Sequence, residues 1–306
     1  MQLEGASKWY GQVLGVSDVN LGLGAGIVGL LGPNGAGKST IIKLLAGLLR
    51  PSRGRVRVLG ELVADSAAAR RRIGHCPEHD GVWEELTGRE FVTALAELSG
   101  LSRQRAAERA EEELLLLGLE DALDRRLSGY SRGMRQRAKL AQAFVHDPDV
   151  LLLDEPLTGC DPIARVKIVA RIKDLGARKK TILVSSHVLH EIESLTTEIV
   201  VIYRGKVLAE GNTYRIRELI DEHPHRVRVE CDRPRDLARQ LVVCDHVSRV
   251  ELEDGALELE THAPDRLYDA LPQAAEDAGV EIRSLTSPDN NLQAGFEYLT
   301  STGGRR

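Results

Sequence analysis

Four things are scarce in this sequence, and each scarcity bounds what the protein can be. Cysteine is one: Cys76, Cys160, Cys231 and Cys244 are the only four in 306 residues, far apart and without a C-x-x-C pair. That excludes a disulfide scaffold and suits a reducing cytosol. Long hydrophobic runs are another. The longest apolar stretch, Leu21 to Leu31, is glycine-rich and far too short to span a bilayer, so the chain by itself is no membrane channel. Met1-Gln2-Leu3-Glu4 offers no basic segment leading into an apolar one, and no signal peptide is expected. Lysine disappears beyond Lys206, and aromatics are only 4%. The rest is ordinary for a soluble globular protein, at 42% hydrophobic and 28% charged, which excludes collagen-like and disordered classes. His75, Cys76 and His79 lie close together, but no fourth ligand is evident and the cluster is read as ordinary side chains.

The net charge of -5 hides a division. Residues 216–306 hold 11 Lys+Arg and 19 Asp+Glu, giving -8, whereas the other 215 residues hold 30 and 27, giving +3. Length allows a main domain and a smaller one, placed at 1–215 and 216–306. In the first, short apolar runs alternate with helical patterns, as in α/β folds. Ile27–Leu31, Val150–Leu153 and Thr181–Ser185 read as parallel strands buried on both faces. Leu86–Leu98, Ser102–Leu117 and Ser131–Val145 read as consecutive helices, an inserted helical subdomain, with the charged stretch 103–113 a solvated face. Glu198–Tyr203 and Lys206–Glu210 flank Arg204-Gly205 as a hairpin.

In the second region, Arg226–Cys231 alternates like a half-buried strand and Pro234–Leu241 suggests a short helix. Val247–Leu252 and Ala256–Glu260 flank the hairpin signal Asp254-Gly255, followed by a helix over Pro264–Ala278 and a strand over Val280–Leu285. This β-α-β-β-α-β order is the ferredoxin-like, α+β plan. Leu292, Phe296 and Leu299 mark a short terminal helix.

The chemistry begins at Gly32-Pro33-Asn34-Gly35-Ala36-Gly37-Lys38-Ser39-Thr40, which fits G-x-x-x-x-G-K-[ST] between an expected strand and the expected helix Ile41–Leu49. Glycines let successive amides turn inward as an anion nest, and the helix N-terminus adds its dipole. Lys38 would reach the β- and γ-phosphates and Ser39 would ligate Mg²⁺, so the chain is expected to bind a nucleoside triphosphate on a P-loop NTPase (RecA-like) core. Leu151–Leu153 then delivers Asp154 and Glu155 to a strand's carboxyl end, where such sheets place ligands. Asp154 suits the Mg²⁺ shell, and Glu155 can align and deprotonate the attacking water.

Tyr130-Ser131-Arg132-Gly133-Met134, with those motifs, resembles the ATP-binding subunits of ABC transporters over about residues 1–215. The resemblance implies ATP and Mg²⁺, antiparallel β and α-helical subdomains beside the core, and ATPase activity. It implies that Ser131 and Gly133 contact the γ-phosphate held by an opposite head, and that Tyr10 stacks on adenine, worth ~1–3 kcal/mol. Thr158-Gly159-Cys160-Asp161 resembles the family's D-loop. His187, 32 residues after Glu155, stands where its switch histidine lies. Glu78 replaces the usual glutamine of the loop Cys76-Pro77-Glu78-His79; a carboxylate still ligates Mg²⁺ but adds negative charge.

The partners so implied are a second ATP-binding head, identical or not, and an integral membrane permease, with the chain cytoplasmic and peripheral on the membrane's inner face. Its style looks like exporters of drugs, lipids or polymers. The alternative is a non-transport ATPase of this type acting on ribosomes or nucleic acid. One phosphate loop, no heptad run and an end region at -8 argue against it, and no nucleic acid partner is expected. The basic cluster Arg132, Arg135, Arg137 and Lys139 is read as a solvated or interface face. Residues 216–306 suit docking or dimer contact, with a small-ligand sensor as the other reading.

Overall fold

A computed structural model describes residues 1–79, 81–212, 225–253 and 255–287. The chain divides into two compact units, Met1–Asn212 and Thr213–Arg306. The first runs β1 (Gln2–Tyr10), β2 (Val13–Gly22), β3 (Gly26–Leu31), α1 (Lys38–Leu45), β4 (Arg53–Val58), β5 (Glu61–Leu62), α2 (Ala67–Arg71) and β6 (Ile73–Cys76). Three helices follow, α3 (Gly88–Leu98), α4 (Arg103–Leu116) and α5 (Arg132–Phe144). Then come β7 (Val150–Asp154), α6 (Pro162–Ala177), β8 (Thr181–Ser186), α7 (Leu189–Glu193), β9 (Glu198–Tyr203) and β10 (Lys206–Asn212).

A six-stranded sheet in the order β10-β9-β3-β8-β7-β6 is parallel except at β9–β10. All five residues of β7 are buried, as the continuous apolar run demands of a strand covered on both faces. Arg204 (φ 46°) and Gly205 (φ 78°) make the tight turn into β10, both left-handed as a two-residue hairpin requires. A second, antiparallel sheet has the order β2-β1-β4-β5. Between the sheets lies α1, with Ile41, Ile42, Leu44 and Leu45 buried in one core with Leu3, Val16 and Val19 and with Leu152 and Leu183. Each such side chain contributes roughly 1.5–3 kcal/mol on burial, so the helix that opens at Lys38 is held on both sides. It ends at Leu45, short of the expected Leu49.

The second unit contains β11 (His225–Cys231), α8 (Pro234–Leu241), β12 (Val247–Glu253), β13 (Ala256–Thr261), α9 (Pro264–Ala278) and β14 (Ile282–Thr286). Its antiparallel sheet, in the order β12-β13-β11-β14, has the ferredoxin-like topology. Val227, Val229, Leu257 and Leu259 form its core with Leu237, Leu241, Leu267 and Leu271 of the two helices. Gly279 (φ 62°) stops α9, and the last strand starts at Ile282 rather than Val280. The expected terminal helix at Leu292, Phe296 and Leu299, and the expected boundary at 215, lie outside the described residues. Among those residues no helix is long and apolar enough to cross a membrane.

The helical segment corrects one expectation. The stretch 103–113 is not simply a solvated face, because Ala106, Ala110 and Glu113 are buried. Glu113, fully buried, accepts from Arg109 Nη2 at 2.6 Å and from Arg171 of α6 at 2.5 Å (Nη2) and 3.0 Å (Nε). The paired guanidiniums compensate the desolvated carboxylate and tie α4 to α6. Glu113→Ala takes from buried Arg171 one of its two carboxylates, Asp174 remaining at 2.5 Å, and from Arg109 a buried acceptor; it is expected to cost about 3 kcal/mol, read as a lowered urea midpoint.

Candidate functional site

Beyond Leu31 the chain turns back on itself and re-enters helix at Lys38. Gly35 (φ 78°) and Gly37 (φ 108°) are both left-handed, which lets the loop amides face inward. There is no room for a side chain at two points: a Cβ on Gly32 would lie 2.3 Å from the carbonyl oxygen of Ile202, and one on Gly37 2.8 Å from that of Gly15. Lys38, 6% exposed, donates to the carbonyls of Gly32 (2.7 Å) and Pro33 (3.3 Å) and lies 3.3 Å from Glu155 Oε1.

Glu155 follows β7 in a left-handed backbone conformation (φ 49°), a strain of about 1–3 kcal/mol for a non-glycine residue. Ser185 of β8 holds this corner: its hydroxyl donates to Asp154 Oδ1 (2.5 Å) and accepts from the Glu155 amide (2.9 Å). Gln136 of α5 donates to the carbonyls of Glu155 (3.5 Å) and Pro156 (3.2 Å). The Glu155 carboxylate, 4% exposed, spans Lys38 through Oε1 and His187 Nδ1 through Oε2 at 3.0 Å.

A cleft beside the loop is lined by Tyr10, Gly15, residues 33–40, Glu78 and Glu155. Tyr10, 45% exposed, shares a 3.4 Å hydroxyl contact with Thr40, and its ring lies where a Cβ on Gly15 would come within 2.8 Å. Trp9 instead carries Arg53 over its ring at 5.6 Å. Glu78 is exposed in the loop after β6. Tyr10, Gly32, Pro33, Asn34, Gly35, Ala36, Gly37, Lys38, Ser39, Thr40, Glu78, Asp154, Glu155 and His187 therefore gather in one region.

Ser131 and Gly133 do not line that cleft. Ser131 caps α5 by accepting from the Met134 amide at 3.3 Å, and a Cβ on Gly133 would lie 2.8 Å from the carbonyl oxygen of Gly159. The signature-like segment and Thr158–Asp161 thus pack together at another surface. The basic cluster is corrected in part. Lys139 is buried and donates to the carbonyls of Pro77, Glu78 and His79, while Arg137 donates to those of Gly133, Leu117 and Gly118. Ser185 and Gln136 went unread in the sequence, and Lys139 reads there as part of a solvated or interface face. Their signal is a polar side chain inside an otherwise apolar strand or helix face.

The donors fit the groups expected. Two left-handed glycines leading into the N-terminus of α1 suit an anion cradle. Ser39, Asp154 and Glu78 offer oxygen, which suits Mg²⁺, an ion that takes one or two protein carboxylates and fills its shell with phosphate, hydroxyl and water. No cluster of three or more His, Cys, Asp or Glu that could hold a metal occurs among the described residues.

The family described as ABC transporter matches residues 16–158. The daunorubicin/doxorubicin resistance ATP-binding protein DrrA of Streptomyces peucetius is 36% identical over 304 residues, 98% of this chain and 92% of that protein. The Nod factor export ATP-binding protein I of Rhizobium sp. (strain N33) is 37% identical over 87% of this chain and 88% of its own. Among solved structures, an ATP-binding subunit of an ABC transporter superposes with TM-score 0.66 at 32% identity, covering 71% of this chain and 91% of that one. A dimeric post-hydrolysis ATP-binding cassette with ADP and Pi superposes with TM-score 0.64 at 25% identity, covering 69% and 97%.

Two outcomes follow from the geometry. Ser185→Ala leaves the Glu155 amide without its buried acceptor and is expected to cost about 1–3 kcal/mol in a denaturation curve. Burial pushes the Cys76 thiol up to about 12, so thiolate is negligible near neutral pH. Native protein treated with iodoacetamide should therefore label at the partly exposed Cys244 and not at Cys76, as read by peptide mass spectrometry.

Proposed function

The chain belongs to the ABC transporter family, and on that premise we propose that it drives export through a separate membrane permease. It is an ATP-binding, ATP-hydrolysing subunit. One observation carries the hydrolytic assignment: a buried carboxylate, Glu155, bridging the phosphate-loop lysine and His187 at adjoining strand ends.

In the proposed mechanism, Tyr10 stacks on adenine and the amides of residues 35–40 hold the phosphates. Lys38 exchanges its contacts with Gly32 and Glu155 for the β- and γ-phosphates. Ser39 and Asp154, with Glu78, would hold Mg²⁺, which when bound spreads the negative charge developing on the phosphate oxygens. Glu155, freed on the Lys38 side, accepts the proton of the attacking water, and His187 keeps the second Glu155 oxygen oriented. The water oxygen bonds to the γ-phosphorus as the bond to the ADP oxygen breaks, so ADP and phosphate leave. Ser131 and Gly133, turned away from their own cleft, are offered to the nucleotide of a second head, so closing two heads around ATP and parting them after hydrolysis is the mechanical output.

Export is supported by similarity that runs through both units to a drug-resistance protein and, over most of the chain, to a Nod factor export protein. Residues 1–215 are taken as the ATP-binding domain and 216–306 as an acidic accessory domain. The protein would sit at the inner membrane face through its permease.

Glu155→Gln is expected to lower ATP turnover by roughly 10²–10⁴-fold while keeping ATP affinity, and to accumulate dimers in ATP on size exclusion. Purified from solubilised membranes with ATP, that variant should bring down a polytopic membrane protein. Recovery of ribosomes or nucleic acid instead would refute the transport reading, and undiminished turnover would refute the role of Glu155.

A further inference from the structure

One face of α5 reaches both loops that carry acidic residues into the cleft. Gln136, Lys139 and Gln142 recur at steps of three, on the same side of the helix. Gln136 holds the carbonyls of Glu155 and Pro156, and Gln142 Nε2 donates to that of His75 at 2.7 Å. Between them Lys139, 2% exposed, extends under the loop after β6 and donates to three successive carbonyls, Pro77 (3.0 Å), Glu78 (3.0 Å) and His79 (3.2 Å). Gly74 makes the approach possible. A Cβ there would lie 2.0 Å from the carbonyl oxygen of Ala143, so α5 rests directly on the β6 backbone.

A buried ammonium is costly unless its protons have partners. Here the carbonyls of 77, 78 and 79 all turn toward one point, which only a curled loop achieves. An extended loop would pull them away and take three acceptors from the buried ammonium. The curled loop places Glu78 on the wall of the cleft that Lys38 and Glu155 also line. The ammonium also sets a positive charge beneath a segment whose Glu78 carboxylate adds a negative one beside the phosphates.

We propose that Lys139 is a positioning residue for ATP hydrolysis, holding the loop so that Glu78 faces the phosphate loop ready to serve Mg²⁺. Through α5 the same helix secures Gln136 on the turn after Glu155, so the two acidic loops keep a common frame. This rests on the ATPase reading above.

The test uses the full chain and three variants: Lys139→Met, which keeps length but loses charge and donors, Glu78→Ala, which removes the oxygen ligand, and the two combined. ATP turnover is measured against Mg²⁺ concentration, with metal-free binding of a fluorescent ATP analogue and amide exchange at Glu78 and His79 as readouts apart from activity. Lys139→Met should raise the half-saturating Mg²⁺ about ten-fold, as expected when a group that orients a metal ligand is lost. Metal-free nucleotide affinity should stay within about two-fold, exchange at Glu78 and His79 should quicken, and in the Glu78→Ala background the Mg²⁺ effect should shrink below about two-fold. An equal rise in both backgrounds, or an unchanged Mg²⁺ requirement, overturns the proposal. If Lys139→Met loses its native circular dichroism, Lys139→Gln replaces it and the same coupling decides. A wild-type protein without Mg²⁺-stimulated ATP turnover would refute the ATPase reading itself, whereas an active wild type with additive variants removes only the role of Lys139.

Discussion

Strand β8 lies between the strand that feeds the phosphate loop and the strand that delivers the acids, and its end joins the two. Ser185 binds Asp154 and the Glu155 amide, the Ser186 carbonyl accepts from the Gly32 amide at 3.3 Å, and His187 reaches the Glu155 carboxylate. Three consecutive residues thus fix the loop and the acids relative to each other. A parallel sheet can do this because every strand ends on the same side. A slip of one residue in β8 would turn Ser185 toward the opposite face and undo the arrangement.

The strain in the site depends on that hold. Glu155 keeps a left-handed backbone only because Ser185 secures its amide and Gln136 its carbonyl. Its carboxylate is buried with a lysine and a histidine as neighbours, in surroundings of low dielectric where each contact is stronger than in water. Burial there is a cost accepted for orientation: a carboxylate that can face only Lys38 or His187 is already aimed. The surrounding core, with α1 clamped between two sheets, keeps Lys38 from retreating.

Much of this was legible before the fold. The phosphate loop is a contiguous motif whose glycines answer a local backbone requirement, and Gly35 and Gly37 are left-handed as that requires. The runs at 150–153 and 181–185 read as strands because burial on both faces removes the usual alternation, and the strands found are Val150–Asp154 and Thr181–Ser186. Less legible was the antiparallel sheet, expected only from the family resemblance. Its β1–β2 register shifts between Leu3, Ala6, Lys8 and Trp9, and such bulges break the two-residue period that a reader relies on. Charged residues misled for a related reason. Glu113 and Lys139 look like solvated positions on polar helices, and both are buried, because their partners, Arg171 and the carbonyls of 77–79, come from 58 to 62 residues away.

The sequence alone therefore determined the chemistry of the nucleotide loop, the acids that follow β7, the alternation of helix and strand, and the separate acidic end of the chain, since each is written in neighbouring residues or in local composition. Tertiary structure decided which of those groups meet. It brought Glu155 between Lys38 and His187, set Ser131 and Gly133 apart from that cleft, and turned Lys139 inward beneath Glu78. Pairing of buried charges and carbonyls is settled by packing between distant segments, where desolvation makes each missing partner costly, and no local pattern records it.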